Sequence, residues 1–263
     1  MCLILVAWRV HPEFPLVVAA NRDEFFKRPT APLSFWPDGR ILAGRDQEAG
    51  GTWMGITVDG RFAALTNYRA PEIHRDGMAS RGQLVADFLT ADESPAIWLN
   101  QQSTEAARYN PFNLLVGDRN SLGCFSSTSK EVRWLEPGVY GLSNHLLDTP
   151  WPKVEAAKSS LSQALAALPD DRLLFELLRD DTVHPDDALP RTGVSLEWER
   201  LLSAAFVKAR GYGTRSSTVL KVSRGGTPSM DEQTWLEDGL PGQRSRFRLP
   251  AYVPSGREES RLP

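Results

Sequence analysis

Apolar and polar positions along the first third of the chain fall into short runs separated by turn residues. Cys2–Trp8 is a continuous apolar run, the pattern of a strand covered on both faces. His11-Pro12-Glu13 marks a turn, and Pro15–Ala20 is a second apolar run, so the two predict a hairpin. Ile41–Ala43, Trp53–Thr57 and Phe62–Thr66 predict three more strands, the last two joined through Asp59-Gly60. The period then changes. Ser80-Arg81-Gly82-Gln83 fits a capping box, and Leu84, Val85, Phe88 and Leu89 share one helical face behind it.

Strands return at Phe112–Gly117, Leu122–Ser126, Val132–Leu135 and Val139–Ser143. Thr149-Pro150 offers an N-cap with proline behind it, followed by a stripe of Val154, Ala157, Leu161, Leu165 and Leu168 at helical spacing. Leu173–Leu178 and Leu196–Val207 predict two further helices, and Thr218–Val222, Met230–Trp235 and Ser245–Phe247 three closing strands. Strands come first and last with helices between them. They alternate too little for a doubly wound parallel sheet, so the fold class is α+β with antiparallel sheets covered by helices. Residues 1–248 make a single domain, and residues 249–263, poor in apolar side chains after Val253, are expected to fray.

Composition narrows the function. The chain has 263 residues, enough to bury a core without staples, and its 30 Lys+Arg against 33 Asp+Glu give a net charge of -3. Nucleic acid is therefore not an expected partner. The longest apolar run is Cys2–Trp8, far short of a membrane span, and Arg9 ends it too early for a signal peptide. A cytoplasmic location is expected. Two cysteines cannot build a disulfide framework or a four-cysteine zinc site, and no His/Asp/Glu spacing suits a metal.

One of those cysteines stands at position 2. Removal of the initiator Met would leave Cys2 with a thiol and a free α-amine on the same residue. An α-amine has a pKa of about 8 and can act as the general base for the thiol beside it. Such a nucleophile needs polar partners, and polar residues do follow apolar strands: Asn21-Arg22-Asp23-Glu24, Asn67 and Asn144. Each is otherwise an ordinary turn residue. Arg215 precedes the Thr218–Val222 strand, and Trp8, Trp53 and Tyr68 are aromatic candidates for an apolar pocket.

Several long motifs occur together: Met1-Cys2, Ala19-Ala20-Asn21-Arg22-Asp23-Glu24-Phe25, Arg28-Pro29, Gly50 to Ile56, Ala63 to Tyr68, Ser80-Arg81-Gly82, Tyr140 to Asn144, Thr149 to Lys153 and Gly211 to Arg215. In this order they resemble the NRDE family, the transport and Golgi organisation protein 2 family. That family is similar in turn to cysteine-type N-terminal nucleophile (Ntn) hydrolases, among them bile salt hydrolase and penicillin acylases. The resemblance implies a four-layer αββα sandwich of two antiparallel sheets. It implies that Cys2 is the nucleophile, that Asp23 holds its amine, that Asn67 and Asn144 frame the oxyanion and that Arg215 favours the thiolate. Arg22, Trp53, Tyr68 and His145 become substrate-binding candidates, His145 through its likeness to an Asn-His pair of the acyltransferases. Ala20 is a departure, since the hydrolases carry Arg there.

The reaction implied is hydrolysis or transfer at a linear amide of a small, partly apolar N-acyl substrate, without a cofactor. Related hydrolases are often oligomeric, which extends to a homo-oligomer here. The alternative is a carrier in which the same cleft holds haem, with Cys2, His11, His74, His145 or His184 as axial ligands.

Overall fold

A computed structural model describes residues 2–249. In chain order it contains β1 (Cys2–Trp8), β2 (Leu16–Phe25), β3 (Thr30–Phe35), β4 (Ile41–Asp46), β5 (Met54–Thr57), β6 (Phe62–Asn67), α1 (Arg81–Thr90) and α2 (Pro95–Glu105). There follow β7 (Phe112–Gly117), β8 (Leu122–Ser126), β9 (Glu131–Trp134), β10 (Gly138–Leu142), α3 (Pro152–Ala164), α4 (Arg172–Leu177) and α5 (Leu196–Leu201). The chain closes with β11 (Lys208–Ala209), β12 (Tyr212–Val222), β13 (Pro228–Trp235) and β14 (Pro241–Arg248).

The strands make two antiparallel sheets. One runs β10-β1-β2-β12-β13-β14, with β11 on β12; the other runs β3 to β9 in sequence order. Three cores define four layers. Ile4, Val6, Trp8, Val18 and Leu220 of the first sheet meet Leu42, Ile56, Phe62 and Leu115 of the second between the sheets. Leu3, Leu5, Val17 and Val219, on the opposite face of the first sheet, pack under Val154, Leu161 and Leu174 of α3 and α4. Ala63, Leu114 and Phe125 pack against Val85, Phe88 and Leu99 of α1 and α2. This is the αββα sandwich. The unbroken apolar run of β1 follows from it, because alternate side chains point into two different cores. No helix among the described residues is long and apolar enough to cross a membrane.

Several expectations shift at their edges. Strand β2 continues through Asn21, Arg22 and Asp23, which the sequence pattern places in a turn. Their polar side chains have partners on both faces of the sheet, so polarity there does not end the strand. Strand β12 likewise starts at Tyr212 and carries Arg215 within it. Helix α3 begins at Trp151-Pro152 instead of Thr149-Pro150, because the Thr149 hydroxyl donates back to the Leu146 carbonyl at 2.8 Å. Ser80 precedes α1 but makes no side-chain cap, and Gln83 turns forward to Asp87 at 2.6 Å. The helix expected over Leu196–Val207 stops at Leu201; beyond it the Ala205 carbonyl accepts Asn21 Nδ2 at 2.8 Å. Leu249, grouped with the tail by its sequence, is buried in the core between the sheets. The rest of that expected frayed tail, residues 250–263, lies outside the described residues.

Candidate active site

The antiparallel register of β1 and β2 sets the site. Cys2 stands directly opposite Arg22, and Leu3 opposite Asn21. Facing residues in an antiparallel pair share a face, so Cys2 and Arg22 point together toward the second sheet, and Asp23 points to the helix side. Cys2 is half-buried and opens onto a cleft of about 320 Å³ between the sheets. Arg22, Glu24, Arg28, Asp46, Thr52, Trp53, Asn67 and Arg81 are among its walls.

Burial pushes the Cys2 thiol above its ordinary range. The positive amino terminus and Arg22 oppose this, the Asp23 charge adds to it, and the Asp23 backbone N–H bonded to the sulfur pulls the other way. Arg22 is itself held tightly. Its guanidinium lies over Trp53 at 4.4 Å, donates to Thr30 Oγ1 at 3.3 Å and stands 3.7 Å from Asp46. Arg28 takes the same Asp46 at 2.7 Å, and that bond keeps the Asp46 carboxyl low although its partial burial raises it.

On the other face Asp23 is 2 % exposed. The Thr214 hydroxyl donates to its Oδ1 at 2.7 Å and in turn accepts the Val207 N–H at 2.9 Å. Burial raises the Asp23 carboxyl; the charges of the amino terminus, Lys153 and Arg69 hold it down. Lys153, 4 % exposed on α3, donates to the Leu202 carbonyl at 2.7 Å, and burial lowers its pKa to about 8. Arg69 forms a buried ion pair with Glu199 at 2.9 Å. Tyr212 is pushed well above its ordinary range by burial, with the Asp23 and Glu24 charges adding to it. Behind the cysteine, then, lies a sealed ionic cluster.

The remaining candidates separate. Asn67 lines the cleft. Asn144 is fully buried; its Nδ2 donates to the Asn67 carbonyl at 2.9 Å, and its carbonyl accepts the Arg69 N–H at 2.7 Å. Ser143, its neighbour, ties the same turn to the Cys2 carbonyl at 3.2 Å. Asn144 therefore braces the end of β6, where Asn67 stands. Arg215 sits at a bulge between Thr214 and Ser216, where its guanidinium donates to the carbonyls of Phe25 and Arg28. It is not among the residues lining the Cys2 cleft, and the cation opposite the sulfur is Arg22. Trp53 lines the cleft, whereas Trp8 belongs to the core between the sheets. Tyr68 stacks on His145 at 4.9 Å, and His145 on Trp151 at 5.8 Å, away from the cleft walls. No histidine is among the residues lining the cleft, so none of the four histidines offered as haem ligands stands beside Cys2 in it. Among the described residues no group of His, Cys, Asp and Glu gathers to hold a metal ion.

The family model of Transport and Golgi organisation 2 matches residues 1–237. The chain belongs to the Transport and Golgi organisation 2 family. It is 37% identical over 261 residues to the Transport and Golgi organization protein 2 homolog of Bos taurus, covering 90% of this chain and 94% of that one. The Homo sapiens homolog is 36% identical over 263 residues, covering 91% and 95%. A solved structure, the C2A mutant of conjugated bile acid hydrolase from Clostridium perfringens, aligns with a TM-score of 0.44 at 12% identity, covering 94% of this chain and 92% of that one.

In this family member the residues missed by sequence reasoning carry charge: Arg81 in the cleft wall, and Lys153, Arg69 and Glu199 in the cluster. Arg81 and Lys153 fall inside the motifs quoted above. Nothing in the pattern tells a buried charge from a solvated one, because a helical Lys beside an apolar stripe reads the same in both cases.

Proposed function

We propose that the protein is an N-terminal cysteine nucleophile enzyme that hydrolyses, or transfers the acyl group of, a linear amide in a small N-acyl substrate. The observation that carries this reading is the placement of Cys2: its side chain opens to a cleft, opposite Arg22, while the carboxylate of the residue after Arg22 is sealed behind it.

The chemistry then runs as follows. Loss of Met1 frees the Cys2 α-amine. The amine takes the thiol proton, and the sulfur attacks the amide carbon. Asn67, on the cleft wall, donates to the oxyanion of the tetrahedral intermediate, and Asn144 holds the Asn67 backbone in place. The ammonium returns its proton to the leaving nitrogen as the carbon–nitrogen bond breaks. Water, deprotonated by the same amine, or an acceptor amine then cleaves the thioester. Asp23 orients the amine, and Arg22 steadies the thiolate.

Intact mass of the purified protein is the first test. Loss of Met1 is expected, and its retention sinks the mechanism because the amine base would not exist. An acyl β-lactone should then label the protein once, at Cys2, and Cys2→Ala should abolish the label.

A further inference from the structure

The cleft holds three arginines, and they are not equivalent. Arg22 and Arg28 share Asp46, and Arg28 also meets Glu48 at 2.9 Å. Among the described residues the Arg81 side chain has one hydrogen bond, from Nη1 to the Pro111 carbonyl at 3.2 Å, and no carboxylate within ion-pair distance. Its guanidinium is nevertheless half-buried, and burial lowers its pKa; the charges opposing that loss are Glu24 and Cys2. A guanidinium has five N–H donors in a planar fork that fits a carboxylate on two of them. A partly desolvated fork with one neutral partner is costly unless something else uses it.

Its backbone cannot withdraw. Arg81 opens α1, and the next residue, Gly82, accepts the Thr52 N–H at 3.1 Å through its carbonyl. Gly51 lies so close that a Cβ there would stand 2.3 Å from the Gly82 carbonyl carbon. The start of α1 is thus pressed onto the loop that carries Thr52 and Trp53, two other cleft residues. Cys2 and Arg81 border the same volume.

We propose that Arg81 is a specificity-determining residue that receives a carboxylate of the amide substrate, so that the cleft prefers anionic amides, such as N-acyl amino acids, over neutral ones. This rests on the hydrolase reading above. The charge balance favours it: an anionic substrate approaching a thiolate is repelled unless a cation stands on its path, and Arg81 is the cleft cation with no anion of its own.

The test uses full-length protein whose loss of Met1 has been checked by mass, and two matched probes, N-octanoylglycine and N-octanoylglycinamide. They differ only in a carboxylate replaced by a neutral amide. First, each probe is used to protect Cys2 from iodoacetamide. The acid should protect at a concentration about 10- to 100-fold lower than the amide, the range expected for one charge-assisted contact. Arg81→Gln should bring the two probes together, and Arg81→Lys should restore part of the difference. Equal protection by both probes in the unaltered protein, or a preference that survives Arg81→Gln, overturns the assignment. That unaltered comparison stands even if Arg81→Gln does not fold. Second, release of glycine or glycinamide is followed. Acid-selective protection without release of either amine supports the Arg81 subsite and removes the hydrolase reading, so the two failures are distinguishable.

Discussion

Arg22 and Asp23 are neighbours on one strand and occupy opposite environments. Arg22 looks into the cleft between the sheets, where Glu24 and Arg28 keep partial contact with solvent. Asp23 looks into the layer under the helices, where the side chains of Arg69 and Glu199 are each 5% exposed. The two-residue period of a strand produces this split without any loop rearrangement. It places the sulfur on an open cleft and the ionic cluster in a buried layer behind it. A charge in the sealed layer must find a partner; a charge in the cleft can exchange one for a ligand. Arg81 belongs to the second kind and Lys153 to the first.

The largest effect should come from breaking the sealed side. Glu199 accepts from Arg69 and also from the backbone and hydroxyl of Thr192, each at 2.7 Å. Glu199→Gln takes from the buried Arg69 guanidinium the carboxylate it donates to at 2.9 Å, and a loss of about 3–5 kcal/mol is expected in urea unfolding. Glu24→Gln on the cleft side, where the nearest guanidinium is 4.0 Å away, should cost less than about 1 kcal/mol. Equal losses would mean that the two faces do not differ in the way described.

Much of this contrast was legible in the sequence, but not all of its parts. The apolar runs of β1 and β6 stand out because both of their faces are covered. β3 escapes the pattern. It is an edge strand interrupted by Pro32, with a bulge between Ala31 and Ser34 and only Leu33 buried. α2 escapes as well, since Pro95, Leu99 and Gln102 are its only buried residues and its apolar stripe is thin. Cys2 opens β1 and Asn67 closes β6, both on the cleft, whereas Asp23 lies inside β2 and not in the turn its polar neighbours suggest. The place of Arg22 opposite Cys2 across the hairpin is not visible in the sequence pattern. Register decides that, and a single residue of slip would reverse it.

A smaller effect, readable as a pH dependence, comes from Lys153. Its pKa in the folded chain is about 8, below the ordinary 10.5, because burial disfavours the charged form. Below pH 8 both folded and unfolded states hold the proton, and the folded state bears the cost of a buried ammonium. Between about pH 8 and pH 10.5 the unfolded state holds the proton and the folded state has released it, so this group makes stability rise with pH. The slope approaches about 1.4 kcal/mol per pH unit. Lys153→Met should remove that rise, so the stability difference between native and variant should grow in the native protein's favour from pH 8 to pH 10. A constant difference across that range would place Lys153 in solvent contact and open the sealed layer.

The smallest effect concerns the cleft face and decides which arginine serves the sulfur. Cys2 titrates above the ordinary thiol range, so its alkylation by iodoacetamide should still be rising at pH 9. Arg22 is the cation directly opposite it, and the Arg22 charge pulls the thiol pKa down. Arg22→Gln should therefore move the rise to still higher pH and slow alkylation at pH 8, by about tenfold for each unit moved. Arg215 spends its guanidinium on the carbonyls of Phe25 and Arg28 and stands outside the cleft, so Arg215→Gln should leave the profile in place. Loss of Arg22 removes one of the two guanidinium partners of Asp46, but Asp46 keeps Arg28 at 2.7 Å, so the change can be read at the sulfur. If Arg215→Gln moved the profile and Arg22→Gln did not, the cross-strand assignment would fail, and the thiolate would have to be served from the bulge in β12.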